Sequence, residues 1–116
     1  MSNHIDVVAL FFRASEESDI PTALDCFTED GVWIDPDGKP YAGSDIEPYL
    51  RQQIDLLHQF NSKGVTVNYT PFVQEGNRVY VGASVNEADG TQIRRFVDVF
   101  EMRDGKIAVK DVFAKS

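Results

Sequence analysis

The spacing of apolar positions changes once along the chain. Up to about residue 60 they recur every three or four residues, and from Val65 onward every two. The first segment, about 3 to 17, carries Ile5, Val8, Ala9 and Phe12 at helical spacing, with Phe11 on the flank of that stripe. Asn3 or Ser2 supplies a cap. Asp19-Ile20-Pro21 reads as a cap followed by proline in the first turn, opening a short second helix to about Phe27 with Ile20, Ala23, Leu24 and Phe27 inward. Residues 32–35 form a short strand, and Pro36-Asp37-Gly38-Lys39-Pro40 turns the chain. Gly43-Ser44 then opens a third helix, with Ser44 and Glu47 spaced as a capping box. Its inner stripe is Ile46, Tyr49, Leu50, Gln53, Ile54 and Leu57.

The period of two predicts four strands at 65–74, 78–87, 91–103 and 106–114. Gly76-Asn77, Asp89-Gly90 and Asp104-Gly105 separate them, and such pairs mark hairpins. Helices followed by a meander imply an α+β domain, three N-terminal helices packed on one face of a curved antiparallel sheet. The strand 91–103 alternates Phe96, Asp98, Phe100 and Met102 on one face with Val97 and Val99 on the other. If helices cover the first face, the valines remain outside. A homodimer through this outer sheet face is the expected way to cover them.

Composition narrows the class. A chain of 116 residues with 42% hydrophobic and 11% aromatic content makes one globular domain, 1–116. Eleven basic against nineteen acidic residues give a net charge of −8, which argues against nucleic acid and anionic membrane surfaces as partners. The lone Cys26 excludes an internal disulfide and suits a cytoplasmic setting. No apolar run reaches the ~20 residues needed to span a membrane, and the N-terminus lacks the basic start of a signal peptide. His4 and His58 have no ligand-spaced partner, so neither a metal nor a cofactor is expected.

Two acids carry the candidate chemistry. Asp98 interrupts an apolar row, and a buried carboxylate must be paired, hydrogen-bonded or neutral. Arg94 shares its face but lies about 13 Å along the strand, and Arg95 points to the other face. With Phe96 and Phe100 beside it, Asp98 reads as an acid with a raised pKa facing a pocket, against the alternative of a structural strand acid. Asp35, before Pro36-Asp37-Gly38, is either a turn former whose side chain caps local backbone or a pocket base. Trp33 alternates with Asp35, and either faces the pocket or packs in the core.

The run Ala23-Leu24-Asp25-Cys26-Phe27-Thr28-Glu29-Asp30-Gly31-Val32 resembles the second helix and turn of the nuclear transport factor 2-like superfamily. Phe96-Val97-Asp98-Val99-Phe100 followed by Asp104-Gly105-Lys106-Ile107 resembles its late hairpin. The resemblance covers essentially the whole chain and implies a cone-shaped domain with a deep pocket between sheet and helices. Within the superfamily, Asp35-Pro36-Asp37-Gly38-Lys39-Pro40 and Val97-Asp98-Val99 resemble the catalytic segments of ketosteroid isomerase and SnoaL-like polyketide cyclases. The resemblance implies Asp35 as general base and Asp98 as a neutral hydrogen-bond donor to an enolate oxygen, acting on a small apolar carbonyl compound. It implies Phe11, Phe12, Phe27, Trp33, Leu50, Phe96 and Phe100 as substrate-binding walls. The isomerase's oxyanion-hole tyrosine falls on Phe11, and two further pocket tyrosines fall near Phe27 and Leu50, so these hydroxyl donors are missing here. A non-catalytic ligand-binding or protein-interaction module of the same fold is the alternative.

Overall fold

A computed structural model describes residues 3–115. Three helices, α1 (His4–Glu16), α2 (Ile20–Asp25) and α3 (Ile46–Ser62), cover one face of a seven-stranded sheet. The strands are β1 (Phe27–Ile34), β2 (Pro40–Ala42), β3 (Thr66–Tyr69), β4 (Val73–Glu75), β5 (Arg78–Asn86), β6 (Gln92–Arg103) and β7 (Lys106–Lys115). Their order across the sheet is β2-β1-β7-β6-β5-β3, and β4 also pairs with β5. The predicted α+β architecture is present. The sheet is antiparallel except where β1 runs parallel to β7. These two strands are neighbours in the sheet but distant in the chain, with β2, α3 and the four strands β3 to β6 between them.

Local signals set most boundaries. Asn3 caps α1 through Oδ1 accepting from the Asp6 amide at 2.8 Å; Ser2, the other predicted cap, lies outside the described residues. Asp19 caps α2 in the same way, accepting from the Thr22 amide at 3.3 Å. The Ser44–Glu47 capping box does not form. Gly43–Asp45 is a 3₁₀ turn, and Glu47 instead pairs with Arg51 one helical turn on, at 3.0 Å. The second helix ends at Asp25 rather than Phe27, and Phe27 starts β1 because its strand pairs with Ile107 there. The predicted strand 65–74 breaks into β3 and β4 around Pro71, which has no amide to donate to a ladder. Thr70 bridges the break by exchanging hydrogen bonds with Gly82, whose amide donates to Thr70 Oγ1 at 2.9 Å. A Cβ on Gly82 would lie 3.2 Å from that oxygen.

The core lies between α1, α3 and the inner sheet face, where Val79, Val81, Phe100 and Ile107 are fully buried. On α3 the predicted stripe holds, with Ile46, Leu50 and Ile54 buried. On α1 the inward face is turned relative to expectation: Phe11, predicted on the flank, is 2% exposed, and Ala9 faces solvent. The reason is aromatic packing. The Phe11 ring meets the rings of Phe12, Phe27, Trp33 and Phe100 at centroid distances of 5.5–6.4 Å, all edge-on. Among the described residues no helix is long and apolar enough to cross a membrane.

Candidate active site

The inner face of β6 and β7 carries the two charged residues in the core. Asp98 is 1% and Lys110 4% exposed. The Lys110 Nζ lies 3.5 Å from Asp98 Oδ2. Asp98 is opposite Val112 and Lys110 is opposite Phe100, so the pair is diagonal across two neighbouring antiparallel strands.

A β-bulge creates this juxtaposition. Met102 pairs with Ile107, but Glu101 pairs with Val109, leaving Ala108 as an extra residue on β7. Without that residue, regular pairing continued from Met102–Ile107 would have set Asp98 opposite Asp111 and turned Lys110 to the outer face. The bulge instead brings Lys110 and Val112 inward beside Asp98 and turns Phe113 out, where it is 55% exposed. Lys110 is the cavity residue that sequence reasoning missed. The signal was a lysine alternating with Ala108, Val112 and Ala114, but only the register shows which sheet face that row occupies.

Aromatic rings hold the ammonium. Its Nζ sits 4.3 Å from the Trp33 ring centroid, 5.6 Å from that of Phe100 and 5.8 Å from that of Phe11. Burial pushes the Lys110 ammonium down from the ordinary lysine range, and Asp98 opposes the fall. Burial likewise pushes the Asp98 carboxyl up, opposed by Lys110. One carboxylate oxygen faces Lys110; the other, Oδ1, is buried with no protein partner, as is Trp33 Nε1.

These groups line a cavity of about 330 Å³ between α1, α3 and the sheet. Six of the predicted site residues, Phe11, Phe12, Trp33, Leu50, Phe96 and Asp98, are in its wall. Phe27 and Phe100 are not; they are core residues behind it, with Phe27 stacked on Trp33 at 6.2 Å. Lys110, Tyr49 and Tyr69 add polar groups to a mostly apolar lining, and Arg94 stands there too. The Tyr69 hydroxyl is pushed up by burial and then by the charge of Asp98. Tyr49 is pushed up to about 12, by burial first and Asp35 second.

Asp35 is not among the residues that line the cavity with Asp98, although its neighbour Pro36 is. Asp35 Oδ1 accepts from the amides of Asp37 and Lys39, each at 2.9 Å, and Oδ2 accepts from the Tyr41 hydroxyl at 3.2 Å. These bonds, the Lys39 amide foremost, hold its carboxyl below the usual range. It shapes the turn of the β1–β2 connection and stands at the cavity's edge: the next residue, Pro36, lines the cavity, and its hydroxyl partner Tyr41 stacks on the lining residue Tyr49 at 4.0 Å. No three His, Cys, Asp or Glu side chains are grouped to hold a metal ion among the described residues.

A model of the SnoaL-like domain matches residues 8–110. No curated protein matches the chain. Among solved structures, the chain is similar to the epoxide hydrolase/cyclase-like enzyme SalBIII of pyran ring formation in the polyether salinomycin. That likeness has 25% identity over 97% of this chain and 90% of the other, with TM-score 0.72. It is similar in fold to an NTF2-like protein of unknown function from Cytophaga hutchinsonii (18% identity, 99% and 92% covered, TM-score 0.72). A putative polyketide cyclase from Sinorhizobium meliloti also shares the fold (20% identity, 96% and 99% covered, TM-score 0.67).

Proposed function

The chain belongs to the SnoaL-like domain family, within the nuclear transport factor 2-like superfamily, and on that premise we propose that it is a small cavity enzyme moving a proton at carbon next to a carbonyl. The substrate is a compact, mostly apolar ketone, and no cofactor takes part. One observation carries this reading: an Asp98–Lys110 pair sealed in the core, with Asp98 Oδ1 unpartnered in the wall of an apolar cavity.

The geometry supports a division of labour different from the one the resemblance implied. Asp35 is tied to its turn by three hydrogen bonds, so the base is Asp98. A carboxylate raised by burial is a better proton acceptor near neutral pH than an ordinary one. Lys110 keeps it ionised and offsets the negative charge as it passes from carboxylate to enolate. Phe11, Phe12 and Phe96 keep water out, which strengthens both interactions. The ring closure named for the salinomycin relative would place the same demand on a cavity, a proton moved where water is scarce.

A β,γ-unsaturated ketone, the ketosteroid included, tests the reading, because proton transfer conjugates it and its ultraviolet absorbance reports turnover. Wild-type turnover that Asp98→Asn abolishes and Asp35→Asn leaves in place is the expected result. A rate equal to buffer for every ketone tried would favour a non-catalytic ligand module, the reading suggested by phenylalanine and leucine at positions 11, 27 and 50. The outer sheet face presents Val97 and Phe113, directly opposed on β6 and β7 and 44% and 55% exposed. A homodimer through that face is the assembly that follows, and sedimentation reads it.

A further inference from the structure

Trp33, like Asp98, lines the cavity and carries a buried polar atom, Nε1, without a protein partner. Indole nitrogen can only donate, and a buried tryptophan N–H ordinarily finds an acceptor. Leaving it unmade costs free energy, so such an atom calls for an explanation. The residue is otherwise tightly held. Its ring packs edge-on against Phe11 at 5.7 Å and Tyr49 at 4.9 Å, and Phe27 stacks on it. Only 5% of its surface is exposed. The Lys110 ammonium over the ring favours indole over phenyl, but that contact uses the ring's face and leaves the N–H unsatisfied.

The neighbours of the indole give the missing acceptor its character. The Lys110 ammonium lies over the ring at 4.3 Å and reaches Asp98 at 3.5 Å. An indole donor, the cation over its ring and the Oδ1 acceptor of the acid that the cation reaches thus all belong to residues lining the cavity. A ligand oxygen carrying or developing negative charge suits the first two, and an acidic C–H suits the third. We propose that Trp33 Nε1–H donates to the carbonyl oxygen of the ligand and holds it as charge develops there. This makes Trp33 a catalytic residue rather than an apolar wall. The inference rests on the proton-transfer reading above and names the group that receives the substrate's oxygen. The substrate class it selects is a ketone with an acidified neighbouring carbon. A hydrocarbon of the same shape would leave the donor unpaired.

The step balances simply. Asp98 Oδ1 takes a proton from carbon, the C–H pair becomes the C=C of the enolate, and the carbonyl π pair moves to oxygen. The indole N–H keeps its proton and strengthens its hydrogen bond to that oxygen.

Trp33 is the single tryptophan in the chain, so a ¹⁵N-labelled sample gives one indole N–H resonance. The test is a titration of this 116-residue chain with 2-tetralone and, separately, with tetralin, its hydrocarbon counterpart. Deuterium uptake at the carbon between carbonyl and ring is followed in parallel samples of the ketone. The expected result is a downfield shift of the indole proton with 2-tetralone and not with tetralin. The ketone should also bind several-fold more tightly than the hydrocarbon in wild type, with that preference lost in Trp33→Phe. Removing one such donor lowers reaction rates by roughly 10²–10³, so Trp33→Phe should cut deuterium uptake by about that factor while still unfolding in one cooperative thermal transition. Equal shifts with the two compounds, or a ketone preference undiminished in Trp33→Phe, would overturn the role of Trp33. If deuterium uptake persisted alongside either outcome, the proton-transfer reading would stand. A selective shift with no catalysed uptake would instead keep the indole contact and overturn the enzymatic reading.

Discussion

Asp98 and Asp35 are both aspartates near one cavity, yet their surroundings drive them in opposite directions. Asp98 is enclosed by sheet and helices, is paired with Lys110, and has its carboxyl pushed up by burial. Asp35 stands in a turn, accepts three hydrogen bonds and is held low. The difference teaches that donors stabilise a carboxylate wherever the chain supplies them locally. An acid becomes poised for proton transfer where the fold removes water and supplies too few donors to replace it. The unpartnered Oδ1 of Asp98 is the mark of the second situation.

The comparison can be broken most sharply at Lys110. Lys110→Met leaves a buried carboxylate without its counter-charge and should cost about 3–5 kcal/mol of stability, measured by urea unfolding. Adding Asp98→Leu should recover most of that loss, because a matched apolar pair carries no desolvation penalty. A double variant as unstable as the single one would mean that the pair supports the fold in some way beyond mutual neutralisation.

Catalysis sharpens the contrast next. Asp98→Asn should lower the isomerisation rate by roughly 10²–10⁴, the usual worth of a positioned base, whereas Asp35→Asn should leave it within about twofold. A comparable fall in both variants would restore Asp35 to the chemistry.

The pH profile separates the two acids a third way. A base works only when deprotonated, so the rate should fall as pH drops through the Asp98 pKa. Burial raises that value, and the fall should therefore begin above the ordinary carboxylate range. An inflection within or below that range would assign the base to a group with the environment of Asp35.

The smallest effect belongs to the turn. The Asp35 pKa is depressed in the folded chain, so its stabilisation is present above the unfolded pKa and is lost as pH falls through the folded one. Thermal melts should show Asp35→Asn slightly less stable than wild type at neutral pH, with the two converging in acid. A gap that persists in acid would mean that the turn is held by something other than the ionised side chain.

Much of the architecture was legible along the chain. The period switch near residue 65, the Gly-containing turns and the Asp19-Ile20-Pro21 start follow from local preferences that need no tertiary partner, and they gave three helices and a meander. Asp98 could be identified as anomalous because alternation alone places it among Phe96, Phe100 and Met102. Asp35 was legible in both of its readings, and the structure adds the three hydrogen bonds by which its side chain holds the turn. Spacing alone puts Phe11 on the flank of the Ile5, Val8, Ala9 and Phe12 stripe, whereas the packed face runs through Val8, Phe11 and Ala14, set by ring-to-ring contacts with β1 and β6.

What the sequence by itself determined is the order of elements, the one-sided helices and the presence of an acid in an apolar strand row. What only the tertiary structure decided is the company that acid keeps. A strand's period of two states which residues share a face but not which face it is. One extra residue, Ala108, turns Lys110 from the outer surface to the side of Asp98. The candidate chemistry depends on that register, and register is set by pairing between strands.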